Sequence, residues 1–132
     1  MTFPIRLQRP ALPILLLFGV VPGNAWVQLL PGRVLARFGF FSAAIGLDDV
    51  ERWTISGPYR WWRAIGVRGS PGRPELTFGG STHGAVCLHL RRPVSIARRD
   101  VRELYLTVDD LEGFAAELSA RGIAGQDLRH GG

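Results

Sequence analysis

Two stretches of the chain bring together side chains able to do chemistry. The first is Tyr59-Arg60-Trp61-Trp62-Arg63, inside a longer run (residues 51–70) that holds three of the four tryptophans beside Arg52, Arg60, Arg63 and Arg68, with a Ser56-Gly57-Pro58 turn in its middle. Large rings next to guanidinium groups suit a protein interface, the headgroup layer of a membrane or a flat ligand. The plainer alternative is that Trp53 and one of Trp61 or Trp62 complete the core while arginine stems lie across them. Adjacent tryptophans on extended chain cannot both face inward, so one ring is left for the surface. The second stretch holds Cys87 and His89, which stand two apart on an extended segment and therefore share a face, as metal ligands or a Cys-His pair would.

A zinc site needs three or four ligands, and the other candidates are His83 in a glycine-rich loop, His130 near the end and scattered carboxylates. A buried or half-buried thiol beside an edge histidine is the simpler expectation, so no metal and no cofactor are assigned. Gly79-Gly80-Ser81-Thr82-His83-Gly84 looks like an anion cradle but joins two strands, with no helix N-terminus following it. It reads as a hairpin connection. Asp48-Asp49 and Asp109-Asp110 are adjacent pairs, whose members diverge on extended chain and gain nothing for two-carboxylate catalysis. Nucleophile-elbow, zincin and dinucleotide fingerprints are all missing, so no catalytic residue is assigned and an enzyme is not expected.

All sixteen positive residues are arginine. Without lysine there is no P-loop lysine, no Schiff base and no Ser-Lys dyad. A net charge of +5 would attract nucleic acid or an anionic membrane, but the arginines spread from Arg6 to Arg129 without forming a tract, which disfavours nucleic acid. One cysteine excludes an internal disulfide, and 132 residues with 46% hydrophobic content suffice for one domain with its own core.

The elements that must position these groups are mostly strands. Residues 10–32 carry no charge and admit three readings. As a signal peptide, Arg6 and Arg9 precede an apolar core at 12–21 and a small-x-small site at Gly23-Asn24-Ala25. As a membrane span, residues 11–30 are long enough, though Pro22-Gly23-Asn24 interrupts them. As part of a folded domain, the run divides at that turn into a short helix or strand (12–21) and a strand (25–30). Pro31-Gly32 then turns into residues 33–38, where Val34, Ala36 and Phe38 alternate with Arg33, Leu35 and Arg37.

Further strands are expected near 40–45, 53–55, 65–67, 75–78, 85–90 and 103–108, with 75–78 and 85–90 forming a hairpin that Arg91-Arg92-Pro93 ends. Residues 70–74 read as a surface loop. At Asp109 the period changes: Asp109 as N-cap, Glu112 three residues on, and Leu111, Phe114, Ala115 and Leu118 on one face predict an amphipathic helix closed by Gly122.

Strands in hairpins followed by one terminal helix resemble the bacterial pleckstrin-homology-like (PH-like) domains. The matching stretches are 34–39 with 45–50, and 104–108 running into 109–114. Residues 54–63, 76–78, 84–87 and 106–110 also look like a family of uncharacterised actinobacterial proteins, over roughly 17–122. The resemblance implies a mainly β (α+β) fold, a bent antiparallel sheet or open roll with a C-terminal amphipathic helix, and no activity. The chain is expected to divide into a lead at 1–10, a single PH-like domain at 11–122 and a flexible tail at 123–132, and the resemblance puts residues 17–21 and 25–27 inside the domain.

The functional expectation is a non-enzymatic binding or interaction domain, using Tyr59, Arg60, Trp61, Trp62 and Arg63 toward an unknown protein or membrane surface. The alternatives are a membrane-associated protein anchored by residues 11–30 and a small enzyme of unknown reaction. A cytoplasmic location follows from the first reading, membrane association or secretion through residues 1–25 from the others.

Overall fold

Alternation of apolar and polar residues builds the first sheet. In a computed structural model that describes residues 1–59, 65–69 and 74–129, β1 (Thr2–Pro4), β2 (Ala25–Leu30), β3 (Arg33–Phe38) and β4 (Phe41–Gly46) lie in that order, all antiparallel. The β2–β3 turn has two residues, with Gly32 at φ +78°, where a side chain would be strained. Val27, Leu29, Val34, Ala36, Phe38, Ala43 and Ile45 are buried on one face, as the alternation requires.

A 3-10 turn (Leu47–Asp49) carries the chain into the second sheet. Its strands are β5 (Val50–Ser56), β6 (Ile65–Arg68), β7 (Glu75–Gly80), β8 (Ala85–Ile96), β9 (Arg99–Leu106) and β10 (Gly125–Asp127), in the order β10-β5-β8-β9-β7-β6. The sheet is mixed, because β10 runs parallel to β5 and β7 parallel to β9. The two sheets meet face to face: Phe38 of β3 stacks on Phe78 of β7 with ring centroids 5.7 Å apart and planes 9° off parallel.

Helix α1 (Leu12–Leu16) is a single short helix that buries Leu15. Helix α2 (Leu111–Ala120) closes the core with Leu111, Phe114, Ala115 and Leu118, and Phe114 meets Phe3 of β1 at 5.1 Å. The architecture is therefore mainly β, two open sheets with a C-terminal helix.

Several expectations are corrected. Strands β7 and β8 do not form a hairpin: β9 lies between them, so residues 81–84 cross over rather than turn back. Parallel pairing sets Leu76 against Leu104 and Phe78 against Leu106, which aligns two apolar rows on the core face.

Strand β8 runs past Arg91-Arg92-Pro93 to Ile96, because the pairing register shifts between His89 and Val94 and the exposed proline falls in the bulge. The bulge is tied down by the Arg91 Nε bond to the Asp48 carbonyl (3.1 Å) and the Arg92–Asp49 ion pair (3.0 Å).

The α2 N-cap is Asp110 rather than Asp109, its carboxylate accepting from Gly113 N at 3.0 Å. Residues 1–10, expected as a lead, contribute β1 and bind both sheets: Ile5 bridges Val108, and Gln8 N donates to Gly80 O at 2.7 Å. Residues 123–129, expected as a tail, contain β10.

Residues 11–30 divide into α1, a turn and β2, with Leu15, Val20, Val27 and Leu29 in the core. Among the described residues no helix is long and apolar enough to cross a membrane.

Candidate functional site

Strand alternation gives the second sheet a polar face. Trp53 and Ile55 of β5, Val86 and Leu88 of β8, and Leu104 and Leu106 of β9 belong to the core cluster, so Arg52, Thr54 and Ser56, Cys87 and His89, and Glu103 and Tyr105 point the other way. Cross-strand register then sets Thr54 and Tyr105 on either side of Cys87, and Arg52 and Glu103 on either side of His89.

The result is a connected cluster. His89 Nε2 lies 2.9 Å from Thr54 Oγ1, His89 Nδ1 lies 3.9 Å from Glu103 Oε1, and the Tyr105 hydroxyl donates to Glu103 Oε2 at 3.3 Å. The sulfur of Cys87, one nitrogen of His89 and a carboxylate oxygen of Glu103 all lie within 4.8 Å of one another. Cys87 is fully buried, whereas the Glu103 side chain keeps 39% of its exposure and gives the cluster its open side.

Burial holds Cys87, His89 and Tyr105 in their neutral forms. Burial pushes the Cys87 thiol well up, with the Glu103 charge adding to it against an opposing influence of the nearby Tyr105. Burial also lowers the His89 imidazole below its ordinary value, helped by the Arg52 charge. Tyr105 is raised by burial and then by Cys87 and Glu103. At neutral pH these are a thiol, a neutral imidazole and a phenol. The His89–Glu103 approach is therefore a contact between an imidazole and a carboxylate, not an ion pair. Such a thiol is a poor nucleophile, and what the group offers is a set of sulfur, nitrogen and oxygen donors.

Cys87 and His89 share a face, as their spacing predicts, but His89 stands on a central strand rather than an edge. His83 lies exposed in the crossover, away from the cluster, and His130 falls outside the described residues. Asp48, Asp49, Asp109 and Asp110 form no catalytic pair: Asp49 holds Arg92, Asp109 approaches Arg6 at 4.0 Å, and Asp110 caps α2. Glu103 is the residue that sequence reading misses. It comes from another strand, and only the register opposite His89 brings it in.

Of the segment expected to make contact, Tyr59 is described and Arg60, Trp61, Trp62 and Arg63 lie outside the described residues. The Tyr59 hydroxyl hydrogen-bonds Ser56 Oγ and its backbone N donates to Thr82 O at 2.8 Å. Because Ser56 stands on the polar face, the segment starts at the rim of that face. Trp53 instead enters the core, 9% exposed, with its indole satisfied by a backbone carbonyl.

A separate cleft of about 370 Å³, lined by Pro4, Arg6, Pro22 and Asp109 among others, contains none of the cluster residues. Comparison of the chain with protein-family models, with curated proteins and with solved structures gave no match, so its function is argued from this geometry alone.

Proposed function

We propose that this chain is a non-catalytic binding domain, a roll of PH-like type that meets a protein partner through Tyr59, Arg60, Trp61, Trp62 and Arg63 and the adjoining polar face of the six-stranded sheet. The observation that carries the reading is the anchoring of Tyr59 to Ser56 and Thr82 at the edge of a polar sheet face, Tyr59 being the first residue of Tyr59-Arg60-Trp61-Trp62-Arg63 in sequence. Tryptophan and arginine are the residue types most enriched where a few side chains carry the energy of an interface. The neutral state of Cys87, His89 and Tyr105 suits recognition better than nucleophilic attack. Replacing Arg60, Trp61, Trp62 and Arg63 together by alanine is expected to leave the circular dichroism spectrum and melting unchanged and to abolish partner capture in a pull-down. Unchanged capture by the folded variant places the contact surface elsewhere.

A second reading, contact with an anionic membrane surface, is favoured by one observation. Leu17 and Phe40 are 80% and 81% exposed on adjoining loops, Phe40 N donating to Phe18 O at 3.1 Å, with Leu16 and Val21 exposed beside them. Exposed apolar residues on a chain of charge +5 match a headgroup layer that takes both. Sedimentation with phosphatidylserine/phosphatidylcholine vesicles tests it. The wild type is expected to pellet with the vesicles and Leu17→Ser/Phe40→Ser to stay in the supernatant, whereas equal behaviour of the two proteins removes the reading.

A further inference from the structure

We propose that Cys87 Sγ, His89 Nδ1 and a carboxylate oxygen of Glu103 form a three-ligand site for a zinc-class divalent cation, its fourth position open to water on the polar side of the sheet. The donors come from two adjacent strands in fixed register, His89 directly opposite Glu103 and Cys87 two residues along on the same face. Zinc bonds of about 2.0–2.3 Å to nitrogen, oxygen and sulfur put ligand atoms roughly 3.3–3.8 Å apart. One nitrogen of His89, the Cys87 sulfur and a Glu103 carboxylate oxygen already lie within 4.8 Å of one another, His89 Nδ1 stands 3.9 Å from Glu103 Oε1, and Glu103, 39% exposed, has room to turn its side chain toward the shared cation.

The surrounding groups prepare the ligands. In the tautomer that donates Nε2–H to Thr54 Oγ1, 2.9 Å away, the lone pair of His89 is on Nδ1, which faces Glu103 Oε1 at 3.9 Å. A metal-binding imidazole is oriented by such a bond from its other nitrogen. The Tyr105 hydroxyl takes the second carboxylate oxygen, Oε2, leaving Oε1 for the cation. In that tautomer the imidazole lone pair and the carboxylate oxygen are both acceptors, which a shared cation satisfies. Mixed sulfur, nitrogen and oxygen donors select zinc or cobalt over magnesium or calcium, which take oxygen alone. Binding breaks the Cys87 S–H bond, forms the metal–sulfur bond and releases one proton to solvent, while His89 keeps its Nε2 proton.

Titration calorimetry of the full chain, stripped of metal, with zinc chloride tests the site, and cobalt(II) absorption reports the ligands. One zinc per chain is expected, together with a thiolate-to-cobalt charge-transfer band in the near ultraviolet. Glu103→Gln is expected to lower zinc affinity about ten-fold or more with an unchanged melting curve in the metal-free state. Cys87→Ser is expected to remove the charge-transfer band, and Thr54→Val to weaken zinc binding about ten-fold. No zinc uptake by the wild type, or equal uptake by the wild type, Glu103→Gln and Cys87→Ser, overturns the proposal; the second result assigns the metal to other side chains.

Discussion

The indole nitrogen of Trp53 donates to the carbonyl oxygen of Ile123 at 3.0 Å, across seventy positions of chain. This bond fixes the segment after α2 against β5, and it is reinforced by the parallel pairing of β10 with the same strand. Gly125 lies on the face of the indole: a Cβ there would collide with Trp53 Cδ2. Trp53→Phe is expected to leave the buried Ile123 carbonyl without its donor and to cost about 1–3 kcal/mol in urea unfolding. Gly125→Ala is expected to destabilise the wild type, and to cost less in a Trp53→Leu background. Equal cost in the two backgrounds would contradict the packing.

The stacked pair of Phe38 and Phe78 is the clearest link between the sheets. A double-mutant cycle with Phe38→Leu and Phe78→Leu is expected to give a coupling energy of about 0.5–1.5 kcal/mol, the range for aromatic pairs beyond their burial. Additive effects of the two changes would mean that the rings act independently.

The two-residue turn between β8 and β9 is made by Ala97 and Arg98, both at positive φ (52° and 62°). L-residues with a Cβ pay about 1–2 kcal/mol each for that conformation, and Asn-Gly is the pair that tolerates it best. Ala97→Asn/Arg98→Gly is expected to raise stability by about 1 kcal/mol, seen as a higher urea midpoint. A lower midpoint would refute the strain.

Arg129 gathers Glu112 at the start of α2 and Asp127 of β10, each at 2.7 Å. The hydrogen bond from Arg129 holds the Glu112 carboxyl below its usual range. A lowered folded-state pKa means that the unfolded chain binds the proton more readily. The contribution is therefore complete above the ordinary glutamate pKa of about 4.3 and disappears as pH falls through the depressed value. Glu112 is 70% exposed, so solvent screening keeps the pair within about 1 kcal/mol. The stability difference between wild type and Arg129→Ala is expected to be constant from pH 7 to about pH 5 and to shrink below that. A difference that grows on acidification would contradict the pairing.

Strand β3 is readable because apolar and polar residues alternate over six positions, and β2 and β4 are readable as apolar runs on either side of it; each follows its neighbour in sequence, so local pattern and sheet order agree. The helix face of Leu111, Phe114, Ala115 and Leu118 was readable for the same reason, with a 3.6-residue period. Strands β1 and β10 have three residues each and exist through their partners, β2 and β5, so no period announces them. The link from β7 to β8 looks like a hairpin in sequence because short connections usually join neighbours, and here β9 intervenes.

The sequence by itself determined which residues face the core: alternation put Val86, Leu88 and Leu90 on one side of a strand and Cys87 and His89 on the other. That follows from the two-residue period of extended chain, a property of the backbone alone. Only the tertiary structure decided that Glu103 stands opposite His89, that Thr54 and Tyr105 flank Cys87, and that residues 1–10 join both sheets. Those facts depend on strand order and register, which are set by matching whole apolar rows across the sheet, so no single segment contains them.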